Sequence, residues 1–156
     1  MTFYSFDTSS ILNGRRDLLP PDIFPTLWTN IEEMVQGGDI RCIDLVLEEL
    51  GKREGDEIHQ WAKTQAGLFV PLTEDVQQAV REVLADHPRL IGVGSGRSGA
   101  DPFVIALAKV HDGTVVTEET ESRNLTKPKI PDACDALGIR RLSLVGFVQE
   151  QNWVFR

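Results

Sequence analysis

Phe3-Tyr4-Ser5-Phe6-Asp7-Thr8-Ser9-Ser10-Ile11-Leu12 is the stretch on which the fold reading turns. The aromatic run Phe3–Phe6 reads as a short strand that ends at Asp7. Thr8-Ser9-Ser10 then offers an N-cap for a helix through Ile11 and Leu12. Asp7 is itself one candidate for that cap. Three hydroxyl side chains already stand in line for the job, so a carboxylate there is surplus to local structure and reads as functional.

The same alternation recurs outward from this start. Pro20, Pro21 and Pro25 punctuate a loop and permit a helix over about 22–36, closed by Gly37-Gly38. Ile40-Arg41-Cys42-Ile43 reads as a second strand, followed by a helix from Asp44 to about Arg53 and another over about 56–66, with Trp61 packed inward. Leu68-Phe69-Val70-Pro71 is apolar and extended, and Glu74 to Asp86 is amphipathic with helical period. Gly92 to Gly99 reads as a loop, and Ala100-Asp101-Pro102 opens a nearly all-apolar helix to about Val110. Thr114-Val115-Val116-Thr117 is the clearest strand. After a polar loop over 118–130, the pattern predicts a helix over about 132–137 ending at Gly138, and a last strand at Leu142-Ser143-Leu144-Val145.

Helices between short apolar strands imply right-handed crossovers and a parallel sheet covered on both faces. The expected fold class is therefore α/β, as one domain over residues 1–156 without repeats or linkers. With 41% hydrophobic residues the chain can build a real core. No apolar run is long enough to span a bilayer, the N-terminus lacks the features of a secretory signal, and two cysteines are too few for a disulfide framework. A cytoplasmic location is the expectation, and the sequon Asn124-Leu125-Thr126 then carries no weight.

The formal net charge is −8, which argues against a non-specific polyanion binder. The charge is unevenly placed. Residues 88–156 carry nine Lys and Arg against eight Asp and Glu, so the second half is open to a phosphate backbone.

Open parallel sheets place ligands beyond the carboxyl ends of their strands, and acids gather where those ends are expected. Asp7 and Glu119 follow predicted strands. Asp101 opens a helix packed on the same sheet, although Asp before Pro is also a favoured helix start in any protein. Glu48 and Glu49 separate by geometry: at about 100° per residue, Ile43, Val46, Leu47 and Leu50 define the buried face. Glu48 points away from that face, and Glu49 lies on its flank. Glu118, Glu119 and Glu121 read first as a solvated run. Clustered carboxylates are hard oxygen ligands suited to Mg²⁺, and crowding raises their pKa values until a cation binds. His59, His87 and His111 show no ligand spacing, so a zinc site is not expected.

Residues 4–11, Val46–Leu50, Ser98–Ala106, Val115–Glu119 and Lys127–Asp132, in that order, resemble the PIN-domain nucleases, most closely a bacterial PIN-like family carried as a domain of unknown function. The resemblance implies a five-stranded parallel sheet and an acidic pocket for Mg²⁺ or Mn²⁺. Asp7, Glu49 and Asp101 match the first three metal-binding acids, and Ser9 and Thr117 match polar positions that orient them. The fourth acid of the family is usually Asp; here the position is Glu119. An endoribonuclease follows from this resemblance, with RNA as substrate. So does membership of a bacterial toxin–antitoxin pair, with an antitoxin partner and a homodimer. Arg97, Arg123, Lys127 and Lys129 are candidates for contacting substrate phosphates.

Rival readings fit less well. GVGSGRSG lacks the Lys of a P-loop, and the first strand carries Asp7 where a dinucleotide fingerprint needs glycines. A dehalogenase-type phosphatase needs a second Asp where Ser9 stands. The alternative is a PIN-like module that binds RNA or a protein without cutting, which Glu119 and the negative charge favour.

Overall fold

The computed structural model describes residues 2–52, 57–90, 99–124, 126 and 128–155. Arg97, Lys127 and the glycine-rich stretch up to Ser98 lie outside them.

Among the described residues the strands are β1 (Tyr4–Phe6), β2 (Ile40–Ile43), β3 (Phe69–Val70), β4 (Thr114–Val116) and β5 (Arg141–Leu142). The α-helices are α1 (Thr8–Asn13), α2 (Pro25–Gly37), α3 (Asp44–Gly51), α4 (Glu57–Thr64), α5 (Glu74–Asp86), α6 (Asp101–Val110), α7 (Ile130–Leu137) and α8 (Leu144–Glu150). All strand pairs are parallel, and the sheet order is β3-β2-β1-β4-β5. The chain winds from β1 outward to β3, returns to the other side of β1, and continues outward to β5. That reversal makes the β1–β4 junction the topological switch point, where a crevice opens beyond the strand ends.

Period-two alternation divides the short central strand between two layers. Tyr4 and Phe6 meet Phe147 of α8 edge-on, with ring centroids 4.8 and 5.2 Å apart. Ser5 faces the other layer and donates to the carbonyl of Val104 in α6 at 2.8 Å, which satisfies a fully buried hydroxyl and holds α6 against β1. The apolar character of α6 follows: Val104, Ile105, Ala106, Leu107 and Ala108 are all buried. Trp61 packs as expected, at 5.5 Å from Trp28, and the Arg15 guanidinium lies over both rings at 4.1 and 4.7 Å.

Several sequence expectations need correction. The last strand stops at Leu142; Leu144 and Val145 belong to α8 instead. Ser143 adopts the extended cap conformation and accepts from Gly146 N at 3.0 Å, while the Glu118 carboxylate accepts from Leu144 N at 2.7 Å. Those two acceptors start a helix that buries Phe147. The chain also inserts a π-helical turn, Gly14–Leu18, before α2, which begins at Pro25 rather than near residue 22. α7 begins at Ile130, two residues early, because Asp132 holds the loop before it.

Candidate active site

Asp7 follows β1 in the extended conformation, and its N–H still pairs with Val116 O at 2.9 Å as the sheet ladder runs out. It is itself the N-cap of α1, its Oδ1 accepting from Thr8 N at 2.8 Å. The expectation that the following hydroxyls would cap the helix is therefore corrected. Only Asp7 has non-helical backbone here, so the cap position falls on it. The hydroxyls serve Asp7 instead: Ser9 Oγ donates to Oδ2 at 2.7 Å, and Ser10 Oγ to the backbone carbonyl at 2.6 Å.

The register Phe6↔Val116 sets Thr117 beside Asp7. Its hydroxyl donates to Asp7 Oδ2 at 2.9 Å and accepts from Glu119 N at 3.1 Å; Ser9 Oγ accepts from Glu118 N at 3.0 Å. Ser9 and Thr117 thus hold the β4 exit against the β1 exit. Burial pushes the Asp7 carboxyl above its ordinary 3.8, the three hydrogen bonds oppose that rise, and the charge of Glu49 adds to it.

Asp101 is the first residue of α6, with Pro102 second, and the cap position falls on Ala100. The Asp-cap, Pro-first reading is corrected by one residue. Asp7 and Asp101 are 2% and 4% exposed, and Glu119 is half-buried. One carboxylate oxygen from each of Asp7, Asp101 and Glu119 lies within 4.8 Å of the others. Three hard oxygen donors converging from two strand exits and a helix start fit an Mg²⁺- or Mn²⁺-type cation, which takes carboxylates and water. None of the three histidines joins the group.

Glu49 is half-buried and Glu48 exposed, as the helical wheel predicts. Glu49 stands outside that trio. Its Oε2 accepts from the Thr8 hydroxyl at 2.8 Å and its Oε1 from Ala100 N at 3.2 Å, so it ties α3 to the starts of both α1 and α6. It touches the segments that carry Asp7 and Asp101, and its charge reaches Asp7.

Beside Glu119 a cleft of about 250 Å³ opens between the β4–α7 loop and β5. Arg141 lines it, held by Asp135 at 3.0 and 3.1 Å and standing 3.7 Å from Glu121. Arg123 projects into solvent with its side chain 83% exposed, 3.5 Å from Glu121, and Lys129 is also exposed. Sequence reasoning overlooked the residue that organises them. Asp132 accepts from the backbone N–H groups of Ser122, Arg123 and Lys129 at 2.8–3.1 Å and from the Ser122 hydroxyl at 2.7 Å. Burial alone would raise its pKa, but these bonds hold it down at about 2. The signal was an acid three residues after Lys129, the spacing at which a first-turn carboxylate reaches back to a cap N–H. Thr8, read only as a possible cap, was likewise missed as the partner of Glu49.

An all-parallel five-stranded sheet with this order and flanking helices is the PIN-like α/β fold. The chain belongs to the family described as "Domain of unknown function (DUF4411)", which it matches over residues 4–155. Its fold is similar to a chain of VapBC2 from Rickettsia felis, solved bound to a DNA fragment from their promoter, at TM-score 0.59 and 15% identity, over 91% of this chain and 98% of that one. It is also similar to a chain of FitAcB from Neisseria gonorrhoeae, at TM-score 0.55 and 17% identity, over 92% and 99%. A chain of FitAB bound to an IR36 DNA fragment matches at TM-score 0.57 and 19% identity, over 91% and 95%. No curated protein sequence gives a significant match. No helix among the described residues is long and apolar enough to cross a membrane.

Proposed function

We propose that the chain, as a single PIN-like domain over residues 1–156, is a metal-dependent endoribonuclease that hydrolyses RNA phosphodiester bonds. The observation that carries this reading is the convergence of Asp7, Asp101 and Glu119 oxygens within 4.8 Å at the switch point of the sheet. When bound there, Mg²⁺ or Mn²⁺ supplies positive charge against the phosphodiester oxygens and acidifies water.

The protein's own groups prepare for that cation. Ser9 and Thr117 fix the direction of the Asp7 carboxylate, and Glu49, bonded to the segments that carry Asp7 and Asp101, joins Asp7, Asp101 and Glu119 as a metal-binding acid. Arg123 and Lys129, gathered by Asp132, would contact substrate phosphates together with Arg97 and Lys127. The charge of the remaining surface keeps non-specific polyanions away.

The reading extends to a cytoplasmic toxin of a toxin–antitoxin pair, able to form a homodimer. It is supported by fold relatives solved with DNA, one of them with a fragment from their promoter, which suits a DNA-binding partner.

The deciding experiment incubates purified protein with single-stranded RNA and Mn²⁺. Cleavage is expected for the natural chain and is lost in Asp7→Asn and Asp101→Asn. Absence of metal-dependent cleavage over a broad RNA panel, with RNA still bound, would favour a PIN-like binding module instead.

A further inference from the structure

At the end of β1 opposite Asp7, Thr2 and Phe3 line a cavity of about 480 Å³. The volume falls in the range of small-molecule sites, which combine apolar walls with a few polar groups. Phe3, Val70, Val76 and Leu107 supply the apolar walls here. The Phe3 and His111 rings, both in the lining, stack at 4.1 Å and 15°, so part of that wall is flat.

One cation faces this apolar space. Arg41 lines the cavity, is half-buried, and forms no ion pair with any described residue. Its Nη1 donates to Val35 O at 2.7 Å and Ile40 O at 2.9 Å, which pins the guanidinium at the end of α2. The Nη2 edge is turned toward Gly38, also in the lining, where a Cβ would stand 3.4 Å from it. Gly38 has φ of +89° and closes α2, and Gly67, with φ of +82°, flanks the same nitrogen, where a Cβ would stand 3.7 Å away; neither residue sets a side chain against Nη2. The first-turn acid of α5 beside the cavity, Asp75, is engaged by the Thr73 hydroxyl and by Val76 N at 3.1 Å. A planar cation with spare donors in an apolar recess suits a carboxylate, which it can meet through two N–H groups.

We infer that this cavity binds a small aromatic carboxylate, its ring against the Phe3–His111 wall and its carboxylate on the Nη2 edge of Arg41. The site lies at the far end of β1 and α6 from the acids and is independent of the nuclease reading.

Calorimetric titration of the full chain with 2-naphthoate, and with the neutral naphthalene-2-methanol, tests the assignment. Naphthoate should saturate one site and bind at least about tenfold tighter than the alcohol, the worth of one charge-assisted contact. Arg41→Gln should abolish that preference, and Thr2→Trp, an exposed lining position, should weaken both ligands. Circular dichroism establishes that each variant is folded; should Arg41→Gln melt, Thr2→Trp decides alone. No saturable naphthoate binding, a preference that survives Arg41→Gln, or naphthoate affinity unchanged in Thr2→Trp would each overturn the inference.

Discussion

The Thr117 hydroxyl donates to Oδ2 of Asp7 at 2.9 Å across 110 residues of chain, and the same hydroxyl oxygen accepts from Glu119 N at 3.1 Å. One side chain therefore sets the direction of the first acid and the backbone path to the last. Thr117→Val keeps the β-branched shape and removes both bonds. Groups that orient metal ligands are worth roughly 10–100-fold in metal affinity, so Mn²⁺ binding by calorimetry should weaken at least about tenfold. Unchanged Mn²⁺ affinity with an intact fold would remove Thr117 from the site.

Asp7→Asn should raise stability in the absence of metal while abolishing metal binding. The folded pKa of Asp7 is raised by burial, so the native state binds this proton more tightly than the unfolded chain does. Its contribution is most favourable below 3.8 and falls as pH rises through the raised folded value; above that the cost of the buried charge persists. Asn carries no charge and keeps an acceptor for Thr8 N, and the Ser9 and Thr117 hydroxyls, which donate to Oδ2 of Asp7, can turn to accept from the amide N–H₂ that replaces it. Melting curves in chelator should therefore show the variant above the natural chain at pH 7, with the gap closing as pH falls toward 3.8. Addition of Mn²⁺ should stabilise only the natural chain. A variant less stable than the natural chain at pH 7 contradicts the account.

Glu49 and Glu48 should behave differently despite being neighbours. Glu49→Gln removes the charge that helps raise the Asp7 pKa, so the carboxyl carbon resonance of Asp7 should titrate at lower pH by NMR. The bonds to Thr8 and Ala100 weaken as well, and Mn²⁺ affinity should fall several-fold. Glu48→Gln, on the exposed side of α3, should change neither. Equal effects from the two substitutions would sink the distinction.

Asp132→Ala should cost about 2–3 kcal/mol, since it leaves N–H groups of a partly buried loop without their charged acceptor. The folded pKa of about 2 lies below the ordinary 3.8, so this stabilisation is full above 3.8 and lost as pH falls through about 2. Denaturation curves of the natural chain and the variant should therefore draw together below pH 3. The variant should also release Arg123 and Lys129 from their common anchor and flatten the salt dependence of RNA binding by filter assay. A stability gap independent of pH down to 2 would show that the carboxylate charge is not what holds the loop.

Much of the architecture was legible locally. The strand-to-helix step at Asp7 and the flank position of Glu49 on α3 are set by residues within a turn or two of each other, and they read correctly from period, although the cap itself fell on Asp7 rather than on the hydroxyls after it. The last strand failed at Leu142–Val145, where four residues suit a strand or a helix equally. Glu118 decided that choice from a distant loop by accepting from Leu144 N, together with the burial of Phe147.

The carboxylate group divides the same way. Sequence by itself determined that an acid would stand at the exit of the first strand and that others would follow strands or open helices. It did not determine that Glu119 would bring an oxygen within 4.8 Å of those of Asp7 and Asp101, nor that Glu49 would accept from the Thr8 hydroxyl and from Ala100 N. That outcome depends on β4 returning beside β1 and on Ser5 holding α6 beneath the junction. Such pairings join residues far apart in sequence, and they are selected by burying apolar surface over the whole sheet, which no local pattern encodes.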